Sequence, residues 1–433
     1  MPNPSTFKKV SALVLFFSMS MALHAVDKKT SQFIDLEIQR HWDEILKTRR
    51  FIHMNPELSN REFETSKLIA AKLMSLGLDV QTEIAKTGVV ALLTGDQPGI
   101  TVGCRADMDA LPIQEQTNVL YKSLNPGVMH ACGHDIHMSI ALGTAMVMST
   151  LRDRLGGNIK FIFQPAEEGA PAGEEGGAGL MIKEGVLDDP PVRAIFGLHV
   201  MPLDVGKVEF SPGAIMASSD HFEITIKGKS SHGARPHEGK DAITLAAQVI
   251  LGIQTIVSRN LDATDPAVIS VGKIEGGIRS NIIADEVRLE GTVRTLSETN
   301  RSKIQQLMED IVKGITFSFG ADYAFSYRRG GPPVYNHPQL AKIMIPTLHE
   351  VLGEGNVGEI KPQMIAEDFS AYCQKIPGFF FFLGVKPPGQ KSMAPLHSPL
   401  FNPDERSISI GIKVMCSLLF DCLEHQSHIE NTS

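Results

Sequence analysis

The sequence predicts an α/β protein: a domain with a mostly parallel sheet flanked by helices, interrupted by a ferredoxin-like βαββαβ domain. Three observations predict it. Apolar, β-rich runs alternate with helical stretches between residues 88 and 200, the order changes to strand, helix, strand, strand, helix, strand from residue 214, and a further apolar strand and final helix follow a proline-rich exit.

Taken in order, GVVALLTG (88–95), GITVGCRADMD (99–109), GNIKFIFQPAEEG (157–169) and RAIFGLHV (193–200) read as strands that end in polar or glycine-containing segments, with DIHMSIALGTAMVMSTLRD as a helix between them. The inserted unit follows as strand HFEITIKG, helix DAITLAAQVILGIQTIVSR, strand PAVISVGKIEG, strand NIIADEVRLEGTVRT, helix ETNRSKIQQLMEDIVKGITFSFG and strand ADYAFSYRR. GGPPVYNHP is the exit, and FFFFLGV (379–385) with a final helix rejoins the first domain. The boundaries expected are a signal peptide at 1–25, an α/β domain in two parts at 26–213 and 332–433, and the insert at 214–331. No internal repeat or low-complexity tract interrupts this plan.

Composition narrows the partners. The chain has 433 residues, 42% hydrophobic and 21% charged, which suits two or three globular domains. A net charge of −8 without long basic runs leaves no footprint for nucleic acid or an anionic membrane surface, so a small solute is the expected partner. Lys8 and Lys9 precede the apolar run VSALVLFFSMSMALHA, the order of a secretory signal cleaved after Ala25. Leu23 is large for its place before that cleavage site, which keeps an uncleaved anchor as the alternative. With no second apolar span read in the chain, the mature protein is expected to be exported and periplasmic or secreted. Cys104, Cys132, Cys373, Cys416 and Cys422 are odd in number and scattered, unlike a disulfide framework, and whether Cys416 and Cys422 bridge is left open.

The chemistry-bearing residues fall at predicted strand ends. Cys132 and His134 open a helix, Glu167 and Glu168 follow IKFIFQPA, His199 ends AIFGLH, and His397 lies in the loop PLHSP. In an open α/β sheet, ligands gather beyond the carboxyl ends of the strands, so these segments converge on one crevice. Thiolate, imidazole and carboxylate together suit zinc or a neighbouring first-row ion, and more donors than one tetrahedral ion needs favour two metals. Singly, each has a plainer reading: a buried thiol, a solvated acidic loop, a hydrogen-bonded histidine. Their joint placement overturns those readings.

The motifs RADMDALP (105–112), HACGHDIHM (130–138), FQPAEEG (163–169), GLHV (197–200), SSHGARPHEGKDAI (230–243), IRSNIIAD (278–285), AEDFS (366–370) and LHSPLFNPDE (396–405) resemble the amidohydrolase branch of the aminoacylase and carboxypeptidase metallopeptidase family. That branch includes hippurate hydrolases and the plant hydrolases of indoleacetyl-amino acids. The resemblance implies two divalent ions per subunit (zinc, manganese, cobalt or nickel) on Cys132, His134, Glu168, His199 and His397, with Glu167 as general base. It makes Asp107 and Asp109 supports rather than ligands, and leaves Asp135, His130 and His137 outside the ligand set. It also assigns His232 to the oxyanion, in a partner subunit's site, and Asn281 and Arg279 to the substrate carboxylate, with His237 orienting the loop. Ala284 stands where the family often has proline, and APAGEEGGAG after Glu168 is a long insert able to narrow the entrance. The activity implied is hydrolysis of N-acyl or N-aroyl amino acids on a catalytic domain formed by 26–213 and 332–433, in a homodimer made through the insert, which serves as lid and dimerisation domain. The alternatives are a dipeptidase or carboxypeptidase on the same site, and a binding protein on a retired hydrolase fold.

Overall fold

The computed structural model describes residues 27–429; the signal peptide expected at 1–25 lies outside them. Helix α1 (Lys28–Met54) is capped by the Asp27 carboxylate, which accepts the Thr30 N–H at 2.8 Å, and it buries Ile34, Ile38, Ile45 and Ile52 on one stripe. After α2 (Phe63–Ser75) come β1 (Asp79–Ile84), β2 (Gly88–Thr94), β3 (Gln97–Asp107), α3 (His134–Ser149), β4 (Gly156–Gln164), α4 (Gly177–Lys183), β5 (Val192–Asp204), β6 (Val208–Phe210) and β7 (Gly213–Met216). The second unit holds β8 (Asp220–Lys227), β9 (Ser231–His232), α5 (Ala242–Thr255), β10 (Ala267–Gly276), β11 (Ile282–Ile283), β12 (Glu286–Thr295), α6 (Glu298–Ser318) and β13 (Asp322–Arg329). The chain returns through β14 (Val334–Asn336), α7 (Pro338–Leu352), β15 (Val357–Glu359), α8 (Ser370–Cys373), β16 (Gly378–Lys386) and α9 (Arg406–Glu424).

The large sheet runs β1-β2-β4-β3-β5-β16-β14-β7, with β6 and β15 branching from β16. Its central strands β4, β3, β5 and β16 are mutually parallel, and antiparallel pairs flank them. Period-two alternation feeds two cores. Phe379 and Phe381 of β16 pack with α1, α3 and α9 on one face, while Phe380 and Phe382 pack with α4 and α8 on the other. A sheet covered on both faces explains the unbroken apolar runs.

The second unit is a separate sheet in the order β10-β12-β8-β13, antiparallel throughout, with α5 and α6 on one face. That is the ferredoxin-like arrangement expected. The run 281–295, expected as one strand, divides instead: Ile282 and Ile283 pair with His232 and Ser231 as a two-stranded ribbon, and β12 begins at Glu286. The break occurs where Ala284 turns inward, its carbonyl accepting the Ala242 N–H at the start of α5. The helical stretch Ala242–Asn260 is long and apolar enough to resemble a membrane span by composition, at mean hydropathy 1.4, which the sequence reading passed over. Leu245, Ala246, Val249 and Ile253 occupy the core of this unit instead.

Candidate metal centre

Backbone geometry presents each donor. Gly133 precedes α3 at φ 86°, and a Cβ there would lie 2.4 Å from Val200 Cγ2, so only glycine lets Cys132 and His134 flank this corner. Beyond β4, Ala166 at φ 53° turns the chain so that Glu167 and Glu168 leave the sheet together. Both of their N–H groups donate to the Asp109 carboxylate at 3.1 Å. His199 was expected at a strand end, yet β5 continues to Asp204 because β16 pairs with it that far. The pairing of β3 with β5 stops at Phe196, which leaves one edge of β5 open at His199. His397 lies between β16 and α9, its N–H donating to Ala131 O at 2.9 Å.

The five expected ligands meet. Cys132 Sγ is 3.3 Å from His199 Nε2 and 3.2 Å from His397 Nε2, and the latter is 3.2 Å from Glu168 Oε1. Ligand atoms of Cys132, His134 and His199 lie within 4.8 Å of one another, as do those of Cys132, Glu168 and His397. Two triads sharing Cys132 are the pattern of two ions with a bridging group. His134 Nδ1 donates to Asp109 O at 2.8 Å and His199 Nδ1 to Val200 O at 2.7 Å. A carbonyl only accepts, so each ring must carry its proton on Nδ1 and offer Nε2.

Three observations test whether this set fits divalent cations. His134 Nε2 is buried with no hydrogen-bond partner among the described residues. Burial, then Glu168 and Glu167, push the Cys132 thiol well above its ordinary range, so a thiolate there requires a cation. Burial and the carboxylates of Glu367, Asp368 and Glu168 likewise raise Glu167. Mixed sulfur, nitrogen and oxygen donors in a place short of positive charge match borderline divalent metals.

The residues around the donors are engaged with one another, although Asp107 and His137 also bring ligand atoms within 4.8 Å of one of His134. His137 Nε2 accepts the Val200 N–H at 2.9 Å, and its Nδ1 donates to Asp107 at 2.6 Å, which uses both nitrogens. Asp135 is paired with Arg49 at 3.0 Å and His53 at 2.7 Å, and His130 is in none of the donor groups. Arg105, fully buried, reaches Asp107 at 2.6 Å, Glu367 at 2.9 Å and Asp368 at 2.8 Å, and so fixes the two acids that sit beside Glu167. The insert after Glu168 is tied down: Glu174 accepts from Asn60 at 3.1 Å and Arg61 at 2.5 Å, and pairs with Lys86. All five cysteines are free thiols, Cys416 and Cys422 included.

A crevice of about 530 Å3 opens from the cluster, with Glu167, Glu168 and His397 on one wall and Ser219, His221 and Arg294 across it. Sequence reasoning missed Arg294. His232, Arg279 and Asn281 do not line this crevice. They gather on the exposed β9–β11 ribbon, where Gly233 N–H donates to Asn281 O at 2.8 Å and Ile282 N–H to Arg279 O at 3.1 Å. His237 is exposed close by, at the turn after the ribbon's first strand.

Comparison with known proteins agrees with this architecture. The chain is 46% identical over 308 residues to the N-acyl-L-amino acid amidohydrolase of Geobacillus stearothermophilus, covering 70% of this chain and 82% of that protein. It is 40% identical over 372 residues to thermostable carboxypeptidase 2 of Saccharolobus solfataricus, covering 85% and 93%. The crystal structure of the Bacillus subtilis YXEP protein, a dinuclear metal-binding peptidase, superimposes with TM-score 0.77 at 34% identity over 92% of this chain and all of that one. Residues 103–421 match Peptidase family M20/M25/M40, and the chain belongs to that family, in its branch of metal-dependent amidohydrolases.

Proposed function

We propose that the protein hydrolyses the amide bond of N-acyl or N-aroyl amino acids, releasing a carboxylic acid and a free amino acid. The observation that carries this reading is the placement of Glu167, 3.9 Å from His134 Nε2 and 10% exposed at the crevice wall. Divalent ions on Cys132, His134, Glu168, His199 and His397 supply, when bound, a Lewis acid that polarises the scissile carbonyl and makes a water more acidic. Glu167 takes the proton of the attacking water and delivers it to the departing amine. Asp109 holds the Glu167 and Glu168 backbone in place while this happens. Arg294, across the crevice, provides a cation for the carboxylate of the amino acid. Zinc, manganese, cobalt and nickel all suit these donors.

We further propose a homodimer in which the His232, Arg279 and Asn281 ribbon of one subunit completes the other's crevice, and an exported location for the mature protein. The likeness to a thermostable carboxypeptidase favours a second reading, cleavage of a peptide bond by the same residues. Amino acid release from N-acetyl, N-benzoyl and dipeptide substrates, before and after chelation and metal return, separates the two. Release from the acyl substrates should vanish with chelator, return with metal, and fall about a hundredfold in Glu167→Gln with bound metal retained. Release confined to dipeptides transfers the assignment to the second reading.

A further inference from the structure

Three basic side chains lie together on the open face of the four-stranded sheet. His221 of β8 is in register with Arg328 of β13 and with Thr292 of β12. Asp220, Phe222 and Ile224 are buried toward the helices, so His221 and its cross-strand partners project from the opposite face, as does Arg294, two residues beyond Thr292. Adjacent strands lie about 4.8 Å apart, so the three groups form a short row.

That row leads out of the crevice. His221 and Arg294 line the crevice together with Glu167, and His221 and Arg328 line an adjoining trough of about 450 Å3 that Gly272 also lines, where a Cβ would meet nothing within 4 Å. The acids of the trough are already engaged: Glu223 with Arg288 at 2.7 Å, Glu290 with Lys273 at 3.2 Å. Among the described residues, neither Arg294 nor Arg328 has an acidic partner within 4.0 Å. Burial, and then the two guanidinium groups, hold the His221 ring below its ordinary pKa, as expected for groups close enough to feel one another. Side-by-side cations without counter-charge are unfavourable until an anion joins them.

We propose that Arg294, His221 and Arg328 form an anion-binding subsite, and that the preferred substrates are N-acyl amino acids carrying a second carboxylate. The assignment rests on the N-acyl reading above. Arg294, which lines the crevice with Glu167 but not the trough, takes the carboxylate beside the scissile amide; His221 and Arg328, which line the trough, take the second, held on a short aliphatic spacer. That second carboxylate belongs either to an acidic amino acid or to a dicarboxylic acyl group.

The metal-loaded enzyme decides between these sources with two matched pairs: N-acetylglutamate against N-acetylglutamine, and N-succinylalanine against N-butyrylalanine. A charge-assisted hydrogen bond contributes enough for a preference of roughly ten- to a hundredfold in kcat/KM for the acid of at least one pair, and Arg328→Ala should remove most of it. Arg328 is exposed, so its loss does not threaten folding. The pair that shows the preference identifies which end of the substrate lies over the sheet. Turnover of the neutral substrates with no acid preference in either pair, or a preference that survives Arg328→Ala, overturns the subsite and leaves the N-acyl reading standing. No turnover of any of the four overturns both.

Discussion

Glu62 shows how one residue outside the metal cluster can govern it. Its carboxylate, fully buried at the start of α2, accepts the Ala166 N–H at 3.0 Å and the Thr87 hydroxyl at 2.6 Å. Ala166 sits at φ 53°, a left-handed conformation that costs an alanine about 1–2 kcal/mol and must be held by its surroundings. Since Glu167 is the next residue, Glu62 acts as a positioning residue for the proposed base. Glu62→Ala should lower stability by about 1–3 kcal/mol, through two buried donors left unpaired, and should reduce kcat more than it raises KM. Glu62→Gln keeps an acceptor for Ala166 and should restore most of the rate. Unchanged kcat in the alanine variant would mean the loop holds itself. A pH dependence follows as well. Burial pushes the Glu62 carboxyl up to about 7, against the stabilising bonds from Thr87 and Ala166. The folded state therefore favours the protonated acid. This contribution is complete below the ordinary carboxyl range and is lost as pH rises through about 7. Denaturant midpoints of Glu62→Gln should gain on the wild type between about pH 5 and pH 8; a constant offset would contradict the ionisation argued for Glu62.

At the scale of elements, the cluster depends on corners more than on regular structure. Gly133 is the clearest, because a side chain there meets Val200 of the adjacent strand and strains a left-handed turn at once. Gly133→Ala should cost about 2–4 kcal/mol from strain and overpacking together, and should lower bound metal per subunit by separating Cys132 from His134. Metal analysis after gel filtration, read beside the melting temperature, checks both effects; full metal content in a folded variant would show that the corner adapts. Corners of this kind were only partly legible in the sequence. The central strands and α3 announced themselves, since elements buried on both faces are written as unbroken apolar runs. By contrast, α1 hides its isoleucine stripe among lysines, glutamates and arginines, and β1 is mostly exposed, so neither stood out. The donors were legible because cysteine, histidine and paired glutamates fell together in segments that follow or end apolar runs, although His199 proved to lie within β5 rather than at its end. Arg294 was not, because an arginine on a strand's open face reads as solubility until the register of β12 against β8 places it over the crevice.

For the molecule as a whole, the arrangement of the two units poses a definite question. The crevice is lined by Glu168 and His397 of the candidate donors, by Glu167 and by Arg294, yet His232, Arg279 and Asn281 are displayed on a ribbon that does not line it. The same unit exposes Leu251 at 70%, Ile278 at 88% and Phe317 at 82%, a burden of apolar surface that association would relieve. In a two-fold dimer, a residue that serves the opposite subunit serves it reciprocally. This gives a test that composition or packing cannot imitate. His232→Ala and Glu167→Gln should each be nearly inactive alone. Mixed in equal amounts and allowed to exchange subunits, half of the dimers are heterodimers, in which one site carries both lesions and the other carries neither. Activity should then rise to about one quarter of the wild type, the share of intact sites that random pairing produces. If His232 serves its own chain's crevice instead, every site in the mixture keeps a lesion and no activity returns, which would require the second unit to swing onto its own crevice.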